Sequence, residues 1–316
     1  MNTPGKKFRQ ALADNNPLMV VGAVNAYCAK MAEKAGHKAL YLSGSGVATA
    51  SFGLPDLAIT TLNDVAEDSR RITQATSLPL LIDIDTGFGG AFSISRTIKE
   101  MIAADVAAVH IEDQVTQKRC GHRPNKSLVD KIEMSDRIKA AVDGRTDESF
   151  FIMARTDSYA TEGMDGAIER CKEYIEAGAD GLFLEAVSSL EDYKQLKEAL
   201  QVPVLANITE FGKTPLFTAE ELASVGVDIM LFPLSAFRAM NKAAESVYQD
   251  IAVNGSQANS IEKMQTRDEL YGYLNYHSFE QKLDELFNRK ENKLSLIHIS
   301  EPTRRYAISY AVFCLK

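Results

Sequence analysis

The run Lys118-Arg119-Cys120-Gly121-His122 places one thiol among two cations, a glycine and an imidazole. Neighbouring cations and a histidine lower a thiol's pKa and suit it to donate a proton or attack as a nucleophile. Just upstream, an apolar run closes on Glu112 and Asp113. A thiol on a loop fed by a strand that ends in acids reads as an active site. The plain alternative is a surface loop with an inert cysteine.

Other residues add to this chemistry. Asp83 and Asp85 stand two apart, so both are expected on one side of a strand. With Glu112 they would form a hard-oxygen cluster, and Asp56 of Gly53-Leu54-Pro55-Asp56 can join it. Clustered carboxylates repel unless a cation sits among them, and an all-oxygen set suits Mg2+ or Mn2+. The alternative for Asp85 is a turn acid before Gly87. Ser43-Gly44-Ser45-Gly46 offers backbone N–H groups and hydroxyls to an anion. Arg155, Arg238 and Arg267 can each fork onto a carboxylate, and Asn207 and Thr209 add neutral donors. A polyanion held beside a divalent metal, with a thiol acid nearby, suits breaking a carbon–carbon bond next to carboxylates.

The elements that must position these groups are legible as an alternation. Apolar runs rich in Val, Ile and Leu fall at 18–23, 39–42, 78–84, 107–111, 150–154, 181–184, 202–206 and 227–232. They lack polar alternation, as expected of parallel strands buried on both faces. Helical patterns lie between them at 65–76, 93–104, 134–142, 165–177, 189–200 and 218–225. Ser93, Ser135 and Thr218 stand where N-caps belong, and Glu221 completes a capping box with Thr218. Eight strand–helix units predict a (β/α)8 barrel. The competing doubly wound sheet needs a glycine-rich phosphate turn after the first strand, and Gly22-Ala23-Val24-Asn25-Ala26 lacks one. Ser43, Asp83, Asp85, Glu112, Arg155, Glu185 and Asn207 all follow or end strands, at the rim where barrel enzymes keep their chemistry. The connections 43–62 and 112–133 are long and read as functional loops.

The bulk composition narrows the function classes. The chain has 316 residues and a formal net charge of −8, which argues against a nucleic-acid surface. No apolar run approaches a membrane span, and the first ten residues carry no apolar signal core, so a cytoplasmic protein is expected. The four cysteines (28, 120, 171, 314) form no CxxC pair, so neither a zinc knuckle nor a disulfide framework is suggested. Helical patterns continue at 236–251, 261–264, 268–273 and 279–287, more than a barrel needs. After residue 293 the character changes. Residues 294–316 are basic, aromatic-bearing and without helical period, and resemble translated adapter read-through. The expected organisation is a barrel with C-terminal helices over 1–293 and a non-native tail over 294–316.

These motifs together resemble the 2-methylisocitrate lyases of the isocitrate lyase/phosphoenolpyruvate mutase superfamily, over residues 4–290. The resemblance rests on Tyr41-Leu42-Ser43-Gly44, Gly53-Leu54-Pro55-Asp56, Asp83-Ile84-Asp85-Thr86-Gly87-Phe88-Gly89, Ile111-Glu112-Asp113-Gln114, Lys118-Arg119-Cys120-Gly121-His122, Met153-Ala154-Arg155-Thr156-Asp157 and Asn207-Ile208-Thr209-Glu210-Phe211-Gly212. It implies cleavage of 2-methylisocitrate to pyruvate and succinate, in propionate breakdown, with Mg2+. Asp83 and Asp85 would bind the metal, directly or through waters. Ser43, Gly44, Ser45, Cys120, Gly121, Arg155, Glu185, Asn207, Ile208, Thr209, Arg238 and Arg267 would contact the tricarboxylate. Cys120 would protonate the succinate enolate, and Tyr41 is one candidate for the base. The resemblance also implies a homotetramer of barrels that exchange a C-terminal helix. Ser45 stands where relatives often have glycine, and Leu184 where proline is common. Isocitrate cleavage, oxaloacetate decarboxylation and an inactive barrel that only binds are the competing readings.

Overall fold

The computed structural model describes residues 2–121 and 125–287. Eight strands form a closed, all-parallel barrel in chain order: β1 (Leu18–Gly22), β2 (Ala39–Leu42), β3 (Leu80–Asp83), β4 (Ala108–Glu112), β5 (Phe151–Thr156), β6 (Gly181–Leu184), β7 (Val204–Asn207) and β8 (Ile229–Phe232). β8 returns to pair with β1. Every expected strand is present, most shifted by one or two residues at an end. The doubly wound alternative is excluded by the closure.

Period two along the strands divides the core into two layers. Leu40, Leu42, Ile82, Val109, Ile111, Ile152 and Leu182 join the surrounding helices in the outer layer. Ala39, Tyr41, Leu81, Ala108, Phe151, Met153, Phe183 and Leu205 fill the barrel. Continuing the inward series toward the strand ends gives Ser43, Asp83, His110 then Glu112, Arg155, Glu185, and Asn207 then Thr209. The alternation that packs the barrel thus lifts the polar groups to its C-terminal rim.

A helix at Pro4–Asp14 closes the other end, and the polar N-terminus gave no sign of it. Thr3 caps it by accepting from the Lys6 N–H, and Pro4 occupies the first turn, where its missing N–H costs nothing. Phe8 is fully buried inside the barrel, its ring 5.4 Å from that of Phe151.

Several local expectations change. Thr218 does form the capping box with Glu221. Ser93 does not cap its helix, which runs Ala91–Ala103 behind Gly90. Ser135 lies inside Lys131–Gly144, whose cap is Asp130. The helix expected from 165 begins at Tyr159 and kinks at Gly163, where φ is 71°. The 43–62 connection starts as a helical turn, Gly44–Gly46, and continues as a π-turn, Val47–Ser51. A helix at Ser235–Asn254 follows β8. No helix among the described residues is long and apolar enough to cross a membrane.

The chain divides into two compact units between Met264 and Gln265. Within the second, Thr266 caps the helix Arg267–Leu274, and Asn275, left-handed at φ 53°, leads into Tyr276–Leu286. Phe279, Leu283, Leu286 and Phe287 are exposed. The tail over 294–316, with Cys314, lies outside the described residues.

Candidate active site

At the C-terminal end of the barrel a cavity of about 320 Å³ is lined from seven of the eight strand ends and the loops after them. That volume is within the range of small-molecule sites. Tyr41, Ser43 and Ser45 reach it from β2, Asp56 from the following loop and Asp83 from β3. Lys118, Cys120 and Gly121 come from the loop after β4. Arg155, Glu185, Asn207, Thr209 and Arg238 complete the set expected there. Gly44, Asp85, Glu112 and Ile208 are buried beside it. Arg267 belongs to the second unit, and His122 lies outside the described residues.

The two aspartates converge, but not by strand alternation. β3 ends at Asp83, and Asp85 is left-handed, with φ 49°. Asp83 accepts from the Asp85 N–H (3.0 Å) and the Gly44 N–H (3.2 Å). A Cβ on Gly44 would stand 3.1 Å from Asp85 Oδ1 and 3.2 Å from Asp83 Oδ2, so a glycine lets the turn close over both.

The cation seated among the acids is Lys118. Its Nζ is 2.6 Å from both Asp56 Oδ1 and Asp85 Oδ1. Burial opposes its charge, but Asp85, Asp83, Glu112 and Asp56 outweigh that and hold the ammonium protonated. Burial, then the charge of Asp83, pushes the Asp85 carboxyl up to about 6. Burial also opposes the charge of Asp83, yet His110, Lys118 and Arg155 bring it down to about 2. His110 is itself pushed down to about 4, chiefly by burial, so at neutral pH the cations beside Asp83 are Lys118 and Arg155.

Glu112 is fully buried and burial raises its pKa well above the usual range, with Arg155 opposing. Among the described residues, neither of its oxygens has a hydrogen-bond partner, and Asp85 Oδ1 lacks a well-directed one. Such oxygens fit a divalent cation. No group of three or more His, Cys, Asp or Glu side chains among the described residues is arranged to hold an ion alone. The expected four-carboxylate cluster is therefore not a closed ligand set. It fits a hydrated ion touching few side chains, the habit of Mg2+.

Arg155 is the centre of the opposite wall. Its Nε lies 3.1 Å from Asp157 and 3.3 Å from Glu112, and its Nη2 3.1 Å from Glu185. Burial opposes its charge, and Asp157, Glu112 and Glu185 restore it. The guanidinium also stacks 5.0 Å from the Phe183 ring centre. Asn207 donates to Glu185 at 3.3 Å, while its buried Oδ1 has no hydrogen-bond partner among the described residues. At the rim, Arg238 lies 3.8 Å from Glu210 and 5.7 Å from the ring centre of Phe211.

Cys120 is half-buried on the loop above this wall. Gly121 follows it so closely over the site that an added Cβ would overlap Arg155 Nη2 and lie 2.6 Å from Glu185 Cγ.

Tyr41 is poorly suited to be a base. Its Oη is 2.8 Å from His110 Nε2, and burial, then the charge of Asp83, raises its pKa well above the usual value. A phenol so placed keeps its proton and serves as a donor.

His110, Phe183, Glu210 and Phe211 escaped the sequence reading as site residues. The signal for His110 was the inward period in β4; an inert core histidine has the same signature.

The family model described as phosphoenolpyruvate phosphomutase matches residues 8–252. A 2-methylisocitrate lyase of Vibrio cholerae serotype O1 is 60% identical over 293 residues, 91% of this chain and 95% of its own length. Among solved structures, a 2,3-dimethylmalate lyase of the PEP mutase/isocitrate lyase superfamily superposes with a TM-score of 0.83 at 34% identity, covering 90% of this chain and 96% of that one. A phosphonopyruvate hydrolase in complex with oxalate and Mg2+ superposes with a TM-score of 0.78 at 26% identity, covering 91% of this chain and 99% of that one.

Proposed function

Because this chain belongs to the phosphoenolpyruvate mutase family, and within it to the 2-methylisocitrate lyases, we propose that it cleaves 2-methylisocitrate into pyruvate and succinate. The observation that carries this is the meeting, in one cavity, of Cys120 and Gly121 with Arg155, Glu185 and Asn207 on one wall and the aspartates on the other.

In this reading a carboxylate lining the cavity takes the proton of the 2-methylisocitrate hydroxyl, the carbon that bore it becomes the carbonyl of pyruvate, and the neighbouring carbon–carbon bond breaks. The electron pair stays on the succinate fragment, and the Cys120 thiol protonates it. Arg155, fixed by three carboxylates before substrate arrives, binds a substrate carboxylate with no reorganisation of its own. Ser43, Gly44, Ser45, Gly121, Asn207, Ile208 and Thr209 line or border the remaining anion contacts, and Glu185 orients Asn207. Arg238 meets the substrate at the rim. Tyr41 donates from the floor.

Asp83, Asp85, Asp56 and Glu112 would hold Mg2+, or Mn2+, directly or through water. Bound there, the ion would stabilise the negative charge that develops on oxygens beside the breaking bond. Lys118 neutralises Asp56 and Asp85 and keeps their oxygens turned into the same space. A cytoplasmic homotetramer acting in propionate breakdown goes with this reading.

The test is a product assay with Mg2+ on 2-methylisocitrate, isocitrate and oxaloacetate separately. Pyruvate and succinate from the first are expected. Glyoxylate from isocitrate, with no pyruvate from 2-methylisocitrate, overturns the reading.

A further inference from the structure

The loop that carries Cys120 is gripped on both sides of the thiol. Upstream, the Gln114 side chain pairs with the backbone of Arg119: its Nε2 donates to the Arg119 carbonyl at 2.9 Å, and its Oε1 accepts the Arg119 N–H at 3.0 Å. Downstream, Lys126 Nζ donates to the Gly121 carbonyl at 2.6 Å. Both grips share one anchor. Asp157 accepts from Gln114 at 3.3 Å and from Lys126 at 2.5 Å, and its carboxylate also holds Arg155 Nε at 3.1 Å.

The burial of this arrangement says what it is for. Asp157 is fully buried and the Lys126 side chain is only 4% exposed. An ammonium taken out of water is costly unless its partners are good ones. A lysine on a loop has an inexpensive alternative, which is to stay solvated. Here it is drawn in to reach one carboxylate and one carbonyl, and that carbonyl belongs to the residue beside Cys120. Asp157 is in turn fixed by its backbone N–H, which donates to buried Asp113 at 3.0 Å. The anchor is therefore rigid, and the same anchor sets the guanidinium expected to bind substrate.

We propose that Gln114 and Lys126 are positioning residues that, seated on Asp157, hold the backbone on both sides of Cys120 and fix where its thiol stands relative to Arg155. The catalytic part of this rests on Cys120 as the proton donor of the cleavage proposed above. Neither residue touches the reacting atoms. Their contribution is placement, and it is felt in turnover more than in substrate binding.

The test replaces Lys126 and follows two independent readouts. Lys126→Met is expected to lower kcat by up to roughly 100-fold, the cost of displacing a reacting group by about 1 Å, with KM nearly unchanged. Lys126→Arg, which keeps a cation able to reach both oxygens, regains part of kcat. The second readout needs no substrate. Alkylation of Cys120 by iodoacetamide, followed by mass spectrometry on its peptide, is expected to be faster in Lys126→Met than in the parent protein. Native kcat and native alkylation rate in a folded Lys126→Met overturn the proposal. If that variant does not fold, Gln114→Ala gives the same pair of measurements with the same two outcomes. A parent protein that cleaves no 2-methylisocitrate defeats the proposed function alone, and the alkylation rates then decide the grip on the loop.

Discussion

Gly121 lies directly against the Arg155 guanidinium, with no space between them for a methyl group. The contact joins the loop after β4 to the end of β5 at the point where the expected acid and the expected anion clamp meet. Gly121→Ala must push the loop away from Arg155 and Glu185, and Cys120 moves with it. A displacement of about 1 Å at a reacting group costs on the order of 100-fold. The expected outcome is a fall of at least that size in kcat/KM, with a native melting temperature because the barrel beneath is untouched. Steady-state kinetics and a thermal melt check it, and near-native kinetics would show that the loop stands elsewhere during turnover.

Cys120→Ser separates proton delivery from binding. The hydroxyl occupies the thiol's place but is a far weaker acid, while Arg155, Glu185 and Asn207 keep their contacts. Losing a general acid costs about 10²- to 10⁴-fold, so turnover is expected to fall within that range. Calorimetric affinity for 2-methylisocitrate is expected to hold within a small factor. Unchanged turnover refutes the acid role.

Asp85 gives a pH-dependent test of the metal site. Its carboxyl is pushed from 3.8 up to about 6 by burial and by Asp83. An acid whose folded pKa is raised favours the folded chain only while protonated. Its unfavourable contribution is absent below about pH 4, grows as pH rises through 6 and is complete above that. In metal-free protein, Asp85→Asn is therefore expected to raise the melting temperature at pH 8 and not at pH 4. The gain is at most about 3 kcal/mol, reduced by the lost ion pair with Lys118. Added Mg2+ is expected to raise the melting temperature of the parent protein at pH 8 and to leave Asp85→Asn nearly unmoved. A parent protein indifferent to Mg2+ would remove these carboxylates as its ligands.

The barrel was legible because each strand is an apolar run ended by a polar group, and the pattern repeats eight times. Most of the site was legible for the same reason: Asp83, Glu112, Arg155, Glu185 and Asn207 continue the inward period of their strands. Pairings across the fold leave no such mark. Lys118 meets Asp56 from 62 residues away, and Lys126 meets Asp157 from 31. Nothing near a lysine in sequence tells a buried partner from solvent. The left-handed turn at Asp85 was hidden too, since an aspartate two residues past another reads as a strand residue.

The helix Pro4–Asp14 was missed because it has few apolar residues, and its consequence is testable far from the chemistry. Only Phe8 and Gly5 in it are buried, and with Ala11 and Leu12 only partly buried against the same cluster, its docking rests chiefly on one ring. That ring fills the N-terminal end of the barrel against Phe151, beside Leu18, Val20 and Ile229. Arg9 adds a hydrogen bond to the Ser149 carbonyl (2.8 Å) and an ion pair with Asp180 that leaves the Arg9 side chain 38% exposed, which contributes little beside the buried ring. Phe8→Ala leaves a cavity that the closed sheet cannot collapse to fill, and such truncations cost about 3–5 kcal/mol. A clear fall in melting temperature is expected. The rim proposed to carry the chemistry lies at the other end of the same strands, so kcat and KM measured well below the transition are expected to stay native. A melting temperature equal to that of the parent protein would mean that the helix does not plug the barrel.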